Sequence, residues 1–157
     1  MQKKILILDL DETLIFSVKE RLNHPESFIY NDYYVYLRPN LSWFLNNIKT
    51  YYKIGIWSVA DDEYVEQIVK KIIPKDIDLE FIWSRSWISP DSFDGKQYIK
   101  KMTELEHLGY RLDELLLIDD NEKNITINSP YSILIKPFNG NPKDKELQKI
   151  CNQLIVK

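Results

Sequence analysis

Apolar residues in this chain gather into short unbroken runs, set apart by polar turns and by stretches with helical spacing. The first run is Ile5-Leu6-Ile7-Leu8. It is too short for a helix and too apolar for a surface strand, so it predicts a parallel strand buried on both faces. Lys53–Ser58 (KIGIWS), Leu79–Ser84 (LEFIWS), Glu114–Ile118 (ELLLI) and Ser132–Lys136 (SILIK) read the same way. Between them lie helical patterns. Pro39-Asn40 opens one, with Leu41, Phe44, Leu45 and Ile48 on one face. Asp61 or Asp62 caps a second, whose stripe is Val65, Ile68, Val69 and Ile72, with Pro74 beyond its end. A third is expected from about Ile99 to His107, closed by Gly109, and a fourth opens at Asp144 and runs through Leu147, Ile150, Cys151 and Leu154.

Two segments do not follow this alternation. Ser17 to Ser27 loosens into a loop, and Phe28 to Leu37 offers two aromatic strands around Asn31-Asp32, a small hairpin. Arg85 to Lys96, with Pro90 and Asp94-Gly95, reads as a loop, and Pro137 to Pro142 as a turn. Strands alternating with helices predict an α/β fold, a Rossmann-like parallel sheet flanked by helices, in one domain over residues 1–157.

Composition narrows the functional classes. With 21 basic and 24 acidic side chains the net charge is −3, so no global field draws in nucleic acid. A single cysteine leaves no internal disulfide and suits a reducing compartment. The start shows no secretory core, and no stretch approaches a membrane span. The expectation is a cytoplasmic protein, or a nuclear one in a eukaryote, with a monomer as the expected state.

The candidate chemistry stands at the strand ends. Asp9 and Asp11 follow the first strand directly, and Thr13 comes two residues later. In open α/β sheets the ligand crevice lies beyond the carboxyl ends of the strands. Two acids brought together there need a proton or a cation to compensate them, and Mg²⁺ is the cation that suits carboxylate and phosphate oxygens. Ser58, Arg85 and the pair Asp119-Asp120 end or follow other strands, and Lys100 sits between the third and fourth. Parallel strands bring these positions to one edge, and the chemistry such a set supports is phosphoryl transfer through an aspartyl-phosphate.

Asp9 to Leu14 (DLDETL) resembles the DxDxT signature of the haloacid-dehalogenase superfamily. Val35 to Pro39 (VYLRP), Ile56 to Ala60, Trp83 to Arg85, Tyr98 to Lys100, Leu117 to Asp120, Pro137-Phe138 and the last helix at Asp144 and Leu147 are similar, in order, to its small C-terminal-domain phosphatase branch, the proteins related to nuclear LIM interactor-interacting factor. The resemblance implies that Asp9 is the nucleophile and Asp11 the general acid and base. It implies that Thr13, Ser58, Arg85 and Lys100 lie on the substrate side, Thr13 holding the turn. Asp9, Asp11, Asp119 and Asp120 would serve the metal. Three positions depart from the branch: Ser58 stands where threonine is more frequent, Lys101 where aspartate is usual, and Asp120 where asparagine often stands. The resemblance also implies a HAD-type fold. The two places for a cap are occupied by core elements, leaving no large cap domain and an open site.

An open site favours a macromolecular substrate, phosphoserine or phosphothreonine in a flexible peptide. Two other readings stay open: a phosphatase of nucleic-acid ends, nucleotides or small esters, and a catalytically idle docking module of the same fold. Asp9 and Asp11 also have a plain reading as turn or capping acids, Lys100 as a solvated lysine beside Lys101, and Arg85 as half of a surface ion pair. The aromatic set of the hairpin is explained by cross-strand packing as readily as by a peptide pocket.

Overall fold

Unbroken apolar runs bury on both sides and amphipathic stretches bury on one, so the chain layers helices against a sheet. A computed structural model describes residues 2–155. In chain order the strands and helices are β1 (Ile5–Leu8), β2 (Ile15–Val18), β3 (Phe28–Tyr30), β4 (Tyr33–Leu37), α1 (Leu41–Ile48), β5 (Lys53–Trp57), α2 (Asp62–Ile72), β6 (Leu79–Trp83), β7 (Leu115–Asp119), α3 (Glu122–Asn128), β8 (Ser132–Leu134) and α4 (Glu146–Ile155). A 3-10 helix spans Met102–Leu108. Among the described residues no helix is long and apolar enough to cross a membrane.

The main sheet has the order β6-β5-β1-β7-β8, with every neighbouring pair parallel. β1 lies at its centre, Leu8 standing opposite Ile56 on one side and Ile118 on the other. The carboxyl ends of β1, β5 and β7 therefore finish side by side. Successive side chains of β1 alternate between faces. Leu6 and Leu8 join the apolar layer built by α1, α2 and α4, while Ile5 and Ile7 pack with Trp57, Phe81, Trp83, Met102 and Leu105 on the opposite face.

The structure departs from the sequence expectation in three places. Ile15–Val18 is a strand rather than the approach to a loop. It pairs with β4 in antiparallel fashion, so the expected hairpin becomes a three-stranded sheet, β2-β4-β3. The expected helix at Ile99 is the 3-10 helix starting at Met102. Lys100 is held out of it because its N–H donates to Asn124 Oδ1 (3.0 Å) and its carbonyl accepts from Asn128 Nδ2 (2.7 Å). The helix α3 carries those two asparagines and was not expected at all. It lacks an apolar stripe, since its buried residues are the polar Asn124 and Asn128.

One buried ion pair ties the first turn to the segment that leads into the last helix. Arg38 follows β4, and its side chain has no exposed surface. Its guanidinium grips Asp144 with two bonds, Nε to Oδ1 (2.8 Å) and Nη2 to Oδ2 (3.0 Å), while Nη1 donates to the carbonyl of Thr13 (3.1 Å). Removing one partner of a buried pair strands the other charge and costs roughly 3–5 kcal/mol. Arg38→Met is expected to lose that much stability in urea unfolding. Arg38→Lys should regain only part, because an ammonium cannot reproduce the two-pronged bond.

Candidate active site

Where β1 ends, backbone geometry folds the acidic turn back on itself. The N–H of Asp9 still donates to Ile118 O (3.1 Å), so Asp9 is fixed by the neighbouring strand β7. Glu12 then takes a left-handed conformation (φ 64°), and its N–H donates to Ile15 O (2.7 Å) while Leu14 N–H donates to Leu10 O (2.9 Å). A left-handed non-glycine residue costs about 1–2 kcal/mol. Here it brings Thr13 underneath Asp9. The Thr13 hydroxyl donates to Asp9 Oδ2 (2.8 Å) and lies 3.3 Å from Asp120 Oδ1.

Lys100 closes the centre from the other side. It is 1% exposed, and its Nζ donates to Asp9 Oδ1 (2.8 Å) and Asp119 Oδ2 (2.7 Å). Asp119 also accepts from Asn121 N–H at Oδ1 (2.9 Å) and from Asn124 Nδ2 at Oδ2 (3.1 Å). Burial pushes Asp9 up to about 6 against the opposing pull of Lys100. Burial and the Asp9 charge raise Asp119, and burial raises Asp120. For Lys100, burial alone would lower the ammonium, but Asp119 and Asp9 together hold it above the ordinary lysine range.

A cavity of about 360 Å³ opens over this centre, lined by Asp9, Asp11, Ser58, Arg85, Lys100, Asp119 and Asp120 among others. All of the site residues singled out in the sequence reach it except Thr13. That residue is fully buried and bonds the two carboxylates, so it faces Asp9 rather than the cavity. Ser58 is 2% exposed, with its hydroxyl accepting Ala60 N–H (3.1 Å). Arg85 donates to Val59 O (3.0 Å), and its guanidinium lies 5.6 Å from the ring centre of Tyr98.

The oxygens of Asp9, Asp119 and Asp120 lie within 4.8 Å of one another. Three carboxylates around one lysine leave an excess of negative charge, and hard oxygen donors at this spacing fit a small divalent cation. Asp11, grouped with the metal ligands in the sequence, lies outside that trio. Its Oδ1 accepts from the Tyr64 hydroxyl (2.6 Å), and burial pushes it up to about 6 while that bond opposes the shift. Sequence reading missed Tyr64, Asn121 and Asn124. Tyr64 adjoins the apolar stripe of α2 and reads as core; the asparagines sit in the helix that went unseen.

A central strand ending in an acid turn, faced by a buried lysine and a second acid pair on the adjacent strand, defines a haloacid-dehalogenase-type phosphatase fold. The chain belongs to the NLI interacting factor-like phosphatase family, which it matches over residues 4–156. It is 29% identical over 135 residues to mitochondrial import inner membrane translocase subunit tim50 of Emericella nidulans, covering 86% of this chain and 24% of that one. It is 26% identical over 178 residues to a protein of Invertebrate iridescent virus 3 described as CTD phosphatase-like, covering 98% and 96%. The chain thus spans about a quarter of the length of the first curated relatives it matches. In fold it is similar to Fcp1, an RNA polymerase II CTD phosphatase (TM-score 0.67, 21% identity, 87% of this chain and 42% of that one). It is also similar to a 3-deoxy-D-manno-octulosonate 8-phosphate phosphatase from Moraxella catarrhalis in complex with magnesium and phosphate ions (TM-score 0.58, 12% identity, 98% and 86%).

Proposed function

We propose that this chain is a Mg²⁺-dependent phosphatase that hydrolyses phosphate monoesters through an aspartyl-phosphate on Asp9, acting on phosphoserine or phosphothreonine in a flexible peptide. The observation that carries the reading is the Lys100 ammonium bonded at once to Asp9 and Asp119 under an open cavity. A buried lysine so placed orients the Asp9 carboxylate and offsets charge on an incoming phosphoryl group.

Asp9 attacks phosphorus with one carboxylate oxygen, forming the new P–O bond as the ester P–O bond breaks. Asp11 gives its proton to the departing oxygen. Water then attacks the phosphorus, Asp11 takes the proton back, and the bond to Asp9 breaks to release phosphate. The Ser58 hydroxyl and Arg85 hold phosphoryl oxygens at the cavity wall. A divalent cation bound by Asp9, Asp119 and Asp120 would neutralise phosphoryl charge. The Fcp1 and viral relatives, described as CTD phosphatases or CTD phosphatase-like, support a phosphoprotein substrate. A cavity open to solvent supports it too.

The test is hydrolysis of p-nitrophenyl phosphate, phosphopeptides, nucleotides and 3′-phosphorylated oligonucleotides with and without Mg²⁺. Mass spectrometry of quenched enzyme should find one added phosphoryl group on the peptide containing Asp9. The similarity to an import translocase subunit favours a second reading, a docking module using the same cleft. That reading requires no turnover on any of these substrates in either wild type or Asp9→Asn.

The acids also set a pH dependence. Asp9 and Asp11 stand near 6, and Asp119 and Asp120 are raised with them. In metal-free protein the folded state therefore binds protons more tightly than the unfolded chain. The stability they contribute is complete below the ordinary carboxylate range and is lost as pH rises through about 6. Acids lowered by surface partners, such as Asp62 and Asp76, are ionised in both states across that window. Melting in chelator is expected to fall from about pH 5 to pH 7. Saturating Mg²⁺, binding only the folded form, adds about 2.7 kcal/mol at one hundred times its Kd. The gap between the two curves should widen with pH, because the ligands must be deprotonated. A gap indifferent to pH would count against metal binding at these carboxylates.

A further inference from the structure

The acid turn has a partner outside every motif. Tyr64 sits in the first turn of α2, where its backbone N–H donates to the capping carboxylate of Asp61 (3.1 Å). Its neighbours Val65, Ile68 and Val69 pack into the core, but its own hydroxyl lies 2.6 Å from Asp11 Oδ1 and 2.8 Å from Ser17 Oγ. A phenol carries one hydrogen. With that hydrogen given to Asp11, the contact with Ser17 must run the other way, Ser17 donating and Tyr64 accepting. The ring is braced edge-on by Tyr30, at 5.7 Å and 72°. A chain of hydroxyls thus runs from β2 through α2 to Asp11, the fold bringing Tyr64 against the turn and strand that hold the other two. Asp11, Ser17 and Tyr64 also line a second cavity of about 340 Å³, which shares Asp11, Glu12 and Ala60 with the one over Asp9.

We propose that Tyr64, backed by Ser17, is the positioning residue that aims Asp11 as the proton donor, an inference that rests on the acid role given to Asp11 above. The bond to Oδ1 leaves Oδ2 as the oxygen that carries the proton to the leaving group. When the Asp11 O–H bond breaks and the new O–H forms on the departing oxygen, the carboxylate left behind already has a donor in place, and a hydrogen bond to an ionised acceptor is the stronger kind. Tyr64 keeps its own proton throughout. The same bond then holds Asp11 still while it takes a proton from water. Because Ser17 belongs to the three-stranded sheet, that sheet supports the acid as well as walling the second cavity.

Leaving-group dependence reads this role directly. Phenolate departs poorly without a proton, whereas 2,4-dinitrophenolate leaves unassisted. The first turnover of each ester is measured by rapid quench in wild type, Tyr64→Phe, Ser17→Ala and Asp11→Asn, with Mg²⁺ present. Tyr64→Phe is expected to slow the first turnover of phenyl phosphate roughly 10–100-fold, up to the roughly hundredfold that misplacing a reacting group costs and short of losing the acid altogether. It should leave the dinitrophenolate burst within about twofold of wild type, and Ser17→Ala should show the same contrast to a smaller degree. Equal loss on both esters would mean a structural role and overturn the proposal, as would no loss on either; Ser17→Ala decides the matter should Tyr64→Phe not fold. Asp11→Asn separates the two levels. If it shows the contrast and Tyr64→Phe does not, only the positioning role fails. If it shows none, the acid assignment fails and the proposal with it.

Discussion

Asp9→Asn is expected to reduce turnover by about 10⁴-fold or more, as losing a nucleophile does, while leaving the protein as stable as before or more so. An amide matches the carboxylate in size and keeps an oxygen to accept from Thr13 or Lys100. It cannot form the phosphoryl bond. The stability half of the expectation comes from charge. Burial has pushed Asp9 up to about 6, which means that holding it ionised near neutral pH costs the folded protein more than the unfolded chain. Removing that charge leaves Lys100 paired with Asp119 (2.7 Å) and relieves the repulsion that raises Asp119. Most substitutions at a buried, fully bonded position destabilise. On the proposed reading the acids of this centre serve chemistry, and such a centre is expected to behave the other way, strained where it works. Thermal melting in chelator at about pH 7, run beside a turnover assay, checks both halves. An Asp9→Asn protein that melts several degrees lower and keeps measurable turnover would show that Asp9 is a structural acid.

The parts of this molecule that sequence made legible are those where burial is symmetrical. β1, β5 and β7 are apolar at nearly every position because both faces of the sheet are covered, and their ends mark the site without further information. The polar scaffolding was not legible for the opposite reason. α3 buries Asn124 and Asn128, whose amides satisfy the backbone of Lys100 and Met102, so its hidden face looks like an exposed one in the sequence. The same tether explains why the helix expected at Ile99 begins only after Lys100, as a 3-10 turn. β2 was lost because Ser17 interrupts a run of only four residues and Lys19 follows directly, although Ile15 is fully buried and pairs with Leu37. The DxDxT spacing, by contrast, carries its geometry with it: the left-handed turn at Glu12 is what brings a residue four positions after Asp9 back under its carboxylate.

Lys100→Met tests the centre from its positive side. Methionine keeps most of the stem length, and the backbone at this position stays tethered by Asn124 and Asn128, so the substitution removes little except the charge. Asp9 and Asp119 are then left buried against each other and against Asp120 without their ammonium, at 7% and 1% exposure. Losing one member of such a buried set costs roughly 3–5 kcal/mol. Part of that returns if the acids take up protons, so the deficit should be larger at about pH 8 than at pH 5, the direction that raised carboxylates dictate. Turnover is expected to fall about 10²–10³-fold, the range for losing one group that stabilises developing charge. Lys101 supplies the control. It is adjacent, half-buried and makes none of these bonds, so Lys101→Met should stay within about 0.5 kcal/mol of wild type and keep its activity. Equal effects of the two substitutions, read in urea unfolding and in the turnover assay, would mean that the ammonium buried between Asp9 and Asp119 is not what holds this site together.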